Sequence, residues 1–346
     1  MAKKRQFTVT ATDGASTIFQ LPDFLRGGAS AATHFGLSVT PDGVACAQIL
    51  HHDDSFEILD LRYLSTEDVS TLTLLKGLSA QFKLAKKGCH FAIPQTLYTL
   101  KMIETPNVAE EEMLDAVRWK VKEHIDYPLD EAVIDLFSIP GQAERKRPLM
   151  HYVVISRQSE LQPLVDECEA AEVAIKVIDI QEMAIRNITA STPEDENGVA
   201  MIYLGKRLGE LTITRQGELY LSRDLSLGTG QIQEMIDSLS GEEFEIESES
   251  GLALEVQGLV DKIVLETQRS IDYYTSHFGL PPINAVFVAP LVDPIDGLTA
   301  YLSESLGIIT TKLDFNTLFA VSEAFDERIQ GQCLMAVGAA LRRDEG

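Results

Sequence analysis

The sequence predicts an α/β protein of two lobes, each built on the same repeated unit. Two observations carry this. Three short β-runs in succession, Phe35–Thr40, Val44–Leu50 and Phe56–Tyr63, open the first half, and three more, Val199–Leu204, Gly209–Arg215 and Glu218–Leu225, open the second. After each triplet the pattern changes to helices alternating with buried strands, which is how α/β units read. The length of 346 residues leaves room for both copies, at a prior of roughly 100–200 residues per domain.

The elements run in order along the chain. Residues 1–32 hold no sustained periodicity and read as a flexible leader, with an amphipathic turn from Ile18 to Leu25. Pro41-Asp42-Gly43 supplies the turn chemistry between the first two strands. Ser65 and Thr66 are candidate caps for a helix reaching Ala85, with Leu72, Leu75, Leu78 and Phe82 on one face. Cys89–Pro94 and Thr99–Glu104 read as strands. Asn107 with Glu110 is a capping-box-like start for a helix whose Leu114, Val117, Val121 and Ile125 share a face. Tyr127-Pro128 ends that helix, because the residue before proline resists helical angles, and Ala132–Phe137 returns as a strand. Arg145, Lys146 and Arg147 lie in a polar loop before a strand from His151 to Ser156. A helix over Ser159–Ala171, a strand over Ala174–Ile180 and a helix over Gln181–Thr189 complete the half. Residues 190–198, all small or polar, read as a linker. In the second half a helix starts at Gly230, and an acidic stretch from Gly241 to Gly251 precedes a long helix, Glu255–Phe278, stopped by Pro281-Pro282. Ala285–Ala289 is a strand, Leu298–Leu306 a helix, Ile308–Leu313 a strand and Cys333–Leu341 a closing helix.

Composition excludes several function classes. The formal net charge of −24 argues against a nucleic-acid partner, since phosphate binding needs a basic face. No run approaches the length of a membrane span, and no apolar core follows the basic Met1–Arg5. Cys46, Cys89, Cys168 and Cys333 form no paired motif and sit among apolar residues, as buried thiols of a reducing compartment do. The chain therefore reads as cytoplasmic, with no direct membrane span. His51-His52-Asp53-Asp54 reads as a hairpin turn rather than a metal cluster, because adjacent strand residues point to opposite faces. Cys89-His90 lacks the surroundings of a nucleophile motif. Glu242 to Glu249 reads as a solvated loop, and Tyr273-Tyr274 as packing. No residue stands out as catalytic or as a metal ligand.

The stretch from Asn107 to Ile139 is the most specific feature. A helix containing Arg118-Trp119-Lys120, then Ile125-Asp126-Tyr127-Pro128-Leu129-Asp130-Glu131-Ala132 and an Ile134-Asp135 strand, resembles the hallmark of PilM-type pilus assembly proteins. Val177-Ile178-Asp179-Ile180, Gly217 to Asp224 with Leu227-Gly228, and Gln268 to Tyr274 match the same family in the same order, so the similarity spans about residues 33–346. Within the family the acidity and the altered phosphate loops resemble the MshI-like, MSHA pilus branch. The resemblance implies the actin-like, duplicated ribonuclease H-like fold with an inserted 1C subdomain of the PilM/FtsA type. It divides the chain into subdomain 1A (33–91, 173–190, 325–346), 1C (92–172), 2A (198–230, 283–324) and 2B (231–282).

Actin-like ATPases hold phosphate-bound magnesium with strand-end carboxylates and glycine-rich turns. Here the first phosphate loop reads Gly36-Leu37-Ser38-Val39-Thr40-Pro41, with Ser38 in place of an aspartate and Ala45 in place of a lysine. Gln181 stands where an acidic residue is expected, beside Glu182. The second loop reads Tyr203-Leu204-Gly205-Lys206-Arg207, keeping only Gly205, and the adenosine loop reads Ala289-Pro290-Leu291 without its glycines. The resemblance thus implies a pseudo-ATPase with no cofactor, ATP and magnesium being disfavoured. It also implies a scaffold role, in which the chain binds the cytoplasmic N-terminal tail of a PilN-like (MshJ-type) inner-membrane protein alongside other pilus assembly proteins. Ile93, Thr99, Met102, Val117, Trp119 and Lys120 are the expected tail contacts. An ATP-binding switch or ATPase of the same fold is the first alternative. A type II secretion L-like component is the second, disfavoured because such proteins carry a span after this domain.

Overall fold

The computed structural model describes residues 33–52, 55–106, 108–142, 149–239 and 251–343. The expected leader, Asn107, the Arg145–Arg147 loop, Asp53-Asp54 and the Glu242–Glu249 run lie outside the described residues. The chain divides into two compact units, residues 1–184 with 335–346, and residues 185–334.

The first unit begins with β1 (Thr33–Thr40), β2 (Gly43–His51) and β3 (Phe56–Ser65), followed by α1 (Thr71–Phe82), α2 (Leu84–Lys87) and β4 (Cys89–Ile93). It continues with β5 (Thr99–Thr105), α3 (Glu110–Val121), β6 (Ala132–Ser138), β7 (Leu149–Arg157), α4 (Gln158–Ala170), β8 (Ile175–Ile180) and the start of α5 (Gln181–Thr189). Thr40 pairs with Gly43, so Pro41-Asp42 is a two-residue hairpin loop, as its residue types predict. The main sheet runs β3-β2-β1-β4-β8, an antiparallel meander extended by strands parallel to β1. Between β4 and α4 an inserted element makes its own antiparallel sheet, β5-β7-β6.

The second unit repeats the plan. β9 (Val199–Leu204), β10 (Gly209–Arg215), β11 (Glu218–Leu225), α6 (Thr229–Leu239), α7 (Leu254–Phe278), β12 (Ala285–Val288), α8 (Leu298–Leu306), β13 (Ile309–Lys312) and α9 (Phe315–Leu318) precede α10 (Glu327–Ala340). Its sheet runs β11-β10-β9-β12-β13, with β9–β11 antiparallel and β12 and β13 parallel to β9. Strand for strand this is the order of the first unit, so the duplication read from the two β-triplets is present in the hydrogen-bond topology.

Several local expectations need correction. Ser70, not Ser65 or Thr66, caps α1, its Oγ accepting the Thr73 N–H. Thr66 instead donates to the Pro41 carbonyl, tying β3 to the first hairpin loop. The α3 N-cap position is Ala109, which makes no side-chain bond. Gly279, left-handed at φ 63°, ends α7 by donating to the Thr275 carbonyl, two residues before the prolines. The closing helix α10 starts at Glu327, six residues earlier than Cys333. Residues 190–198 are no linker. Thr192 and Asp195 are buried, and Asp195 receives Gly217 N–H on its carboxylate at 2.5 Å and Gln216 N–H on its carbonyl at 2.9 Å. The small polar residues hold the β10–β11 hairpin rather than solvating a connection.

The first unit is closed by the C-terminal part of α10. Gly36 on β1 faces this helix so closely that a Cβ there would lie 1.8 Å from Ala336 O, and one on Gly338 would lie 2.1 Å from Ala184 O. Ala92, Ala184 and Ala339 cluster at the same crossing. His90 Nδ1 lies 3.1 Å from Ala339 O and His51 Nε2 2.8 Å from Ala340 O. A carbonyl only accepts, so both ring nitrogens are donors; they cap the last helical turn, where Ala339 O also accepts the Arg342 N–H at 3.3 Å. Gly36→Ala is predicted to lower unfolding stability by about 2–3 kcal/mol, since neither backbone can yield without breaking the sheet or the helix. Urea denaturation checks it; an unchanged midpoint would refute the contact.

Candidate functional site

The positions that the sequence assigns to a nucleotide site lie in both units. Ser38 and Ala45 face each other across β1 and β2, and both are buried. Gln181 opens α5, and its backbone N–H donates to Tyr98 Oη at 3.2 Å. The same hydroxyl donates to Glu182 Oε2 at 2.5 Å. The carboxylate next to the expected acidic position is therefore tied to a phenol from the segment that leads into the inserted element. In the second unit, Tyr203 pairs with Glu210 across β9 and β10. Burial, and then the Glu210 carboxylate, push its phenol up to about 12. Gly205 N–H donates to Leu208 O at 3.0 Å, while Gly205 O and Lys206 O accept from Thr229 and Gly230 at 2.9 Å. Gly228 permits this approach, since a Cβ there would lie 2.5 Å from Gly205 O. The turn is pinned to the start of α6 by backbone bonds, and Lys206 and Arg207 stay exposed. Pro290 is buried directly after β12. Among the described residues no group of three histidine, cysteine or acidic side chains is placed to hold a metal ion.

The inserted element has a core of its own. Ile103, Met113, Val117, Val121, Ala132, Ile134, Val153 and Ile155 pack together, with Leu114, Ile125, Tyr127 and Leu129 against them. Of the apolar stripe read from the sequence, Leu114, Val117 and Val121 lie on the face by which α3 covers its sheet; the helix ends at Val121, six residues before Tyr127-Pro128, and Ile125 packs on the core from the turn that follows. The turn after α3 is fixed by Arg157, whose guanidinium stacks 5.1 Å from the Tyr127 ring and pairs with Glu131 at 2.7 Å.

The expected tail contacts separate into three places. Ile93 on β4 and Val117 on α3 are buried in the core, at 1% and 0% exposure. Thr99 and Met102 lie on β5, which among the described residues pairs only with β7 and so forms an edge. They point to opposite faces, because Thr99 shares the parity of the core residue Ile103 and Met102 does not. Lys120 returns toward β5, its Nζ donating to Glu104 O at 2.6 Å. Trp119 is 71% exposed.

One group escaped the sequence reading. Asp135 sits on β6 on the face opposite α3 and is buried. Its Oδ1 accepts the Leu136 N–H at 2.8 Å, and its Oδ2 has no hydrogen-bond partner among the described residues. Burial pushes the carboxyl up to about 7, with Asp179 raising it further and Arg342 pulling it down. Arg342 itself pairs with buried Asp179 at 2.9 Å. Two carboxylates, one on the inserted sheet and one on β8, thus share the field of one guanidinium from the C-terminal segment.

The family model described as type IV pilus assembly protein PilM matches residues 57–344. Among solved structures, the chain is similar to one of a PilM-PilN type IV pilus biogenesis complex at 16% identity, covering 90% of this chain and 98% of that one, with a TM-score of 0.66. It is also similar to a Bacteroides thetaiotaomicron protein of actin-like ATPase fold and unknown function (10% identity, 88% and 96% covered, TM-score 0.45). A third is the cytoplasmic domain of EpsL, an inner-membrane component of the Vibrio cholerae type II secretion system (7% identity, 90% and 97% covered, TM-score 0.45). The fold is the actin-like fold of two repeated α/β units. No helix among the described residues is long and apolar enough to cross a membrane.

Asp135 sets a pH dependence. Its folded carboxyl titrates near 7, against roughly 4 in an unfolded chain, so between these values the folded state binds more protons. Its contribution to stability is present at acid pH and is lost as pH rises toward about 7. Asp135→Asn is predicted to flatten the change in urea midpoint between pH 5 and pH 8 relative to the parent chain. Parallel curves for the two proteins would contradict this.

Proposed function

The chain belongs to the PilM family of type IV pilus assembly proteins, and on that footing we propose that it is a cytoplasmic scaffold of pilus assembly. In this reading it binds the cytoplasmic N-terminal tail of a PilN-like inner-membrane protein and is recruited to the membrane through it. The acidity of the chain and its departures at the phosphate loops favour the MSHA branch, with an MshJ-type partner. The subdomain bounds given by the resemblance, 92–172 for 1C above all, belong to the same proposal.

The observation that carries this reading is the open edge of β5. A strand paired on one side presents a row of backbone donors and acceptors, and an extended tail can add to it as a further strand. Met102, half-buried, and Lys120, anchored to Glu104 O beside the strand, would supply side-chain contacts. An acidic protein also attracts a basic tail over distance, which raises the rate of encounter more than the final affinity.

The reading includes a silent nucleotide site. Serine at 38 and alanine at 45 offer no charge for a metal or phosphate, and the Glu182 carboxylate is held by Tyr98. Calorimetry with Mg-ATP is expected to give no micromolar binding; such binding would favour the ATP-dependent switch instead. With the partner's tail peptide added, amide hydrogen exchange along β5 is expected to slow, with β13 unaffected. Binding of the tail without protection of β5 would overturn the edge-strand pose, and absence of binding to folded protein would reject the scaffold role.

A further inference from the structure

Trp119 is the single tryptophan of the chain, and it stands out from α3 at 71% exposure. The same helix buries Met113, Val117 and Val121 against the inserted sheet, so the indole lies on the face turned away from it. Helical spacing places Asp115 one turn before Trp119 and Glu112 two turns before, on one outward stripe, and both are exposed. Glu123, also exposed, comes in the turn after the helix. The cations of α3 are turned elsewhere: Lys120 Nζ reaches Glu104 O at 2.6 Å, and Arg118 Nη2 lies 3.5 Å from Leu129 O. Lys122, exposed and three positions after Trp119, continues the stripe as a cation, against the three carboxylates of Glu112, Asp115 and Glu123.

We propose that Trp119, Asp115 and Glu112 form a docking stripe for a lysine- or arginine-bearing segment of a protein partner. The indole face carries the negative lobe of its quadrupole, so a cation over the ring is attracted, and carboxylates one and two turns away add to that attraction. An exposed tryptophan is also the side chain that gains most from being covered at an interface. An anionic ligand would meet the carboxylates with the wrong sign. A purely apolar one would strip their water without replacing it. A second copy of this chain brings a net charge of −24 and is repelled. The stripe is separate from the β5 edge, and its occupancy does not depend on a tail binding there.

Because the chain has no other tryptophan, its emission reports this one position. The full chain is titrated with an acetylated, amidated alanine peptide carrying two arginines, and with the same peptide carrying citrulline in their place. A saturable emission change is expected with the arginine peptide, with the citrulline peptide about fivefold weaker. In the double variant Glu112→Gln and Asp115→Asn, both on the surface, the two peptides are expected to become equivalent; circular dichroism confirms the fold. The proposal is overturned if the arginine peptide gives no saturable change, if the parent chain does not discriminate, or if the double variant discriminates as the parent does.

Discussion

The first unit depends on one close approach of backbone to backbone. The last turns of α10 lie against β1 at Gly36, and no side chain larger than hydrogen fits between them. Several long-range contacts rest on that approach. The helix ends where His51 and His90 can donate to its final carbonyls, and the next residues carry Arg342 to Asp179. The field of Arg342 then reaches Asp135, where it opposes part of the upward push of burial. Small residues at the crossing, Ala92, Ala184 and Ala339, extend the same logic, since each added methyl group would push the helix off the sheet.

Much of this was legible in the sequence, and the reason is local. The β-triplets were short alternating runs, and β1 and β2 meet where Pro41-Asp42-Gly43 places their turn, so β1–β3 and β9–β11 emerge within a few residues of the expected bounds. The α3 face was legible because Val117 and Val121 repeat at helical spacing. What the sequence hid is long-range. Nothing near Asp195 says that its carboxylate closes a hairpin two strands away, and nothing near Asp135 points to residue 342. The site residues divide along the same line. Val117 and Trp119 are two positions apart, which pattern alone treats as neighbours, but on a helix they face nearly opposite ways, one to the core and one to solvent.

The proposed silence of the nucleotide site rests on the uncharged Ser38 and Ala45 and on the engagement of Glu182. A site that holds triphosphate and metal needs carboxylates free to meet them, and here Glu182 is committed to a phenol from the segment that leads into the inserted element. That element, by contrast, keeps an open strand edge and an uncovered indole. Under the proposed scaffold role these are the surfaces a partner meets, with their geometry supplied by a small core.

The discontinuity of the first unit has a consequence for biosynthesis. Residues 335–346 complete it, yet they come after the whole of residues 185–334, which form a compact unit by themselves. A chain emerging from the ribosome N-terminus first therefore has its second unit whole while the first still lacks the helix that covers β1 and β4. During that interval Gly36 and Ala92 face no helix, and the apolar surface around them is a natural target for chaperones. The order of maturation is thus inverted relative to the order of translation: the lobe made first is finished last.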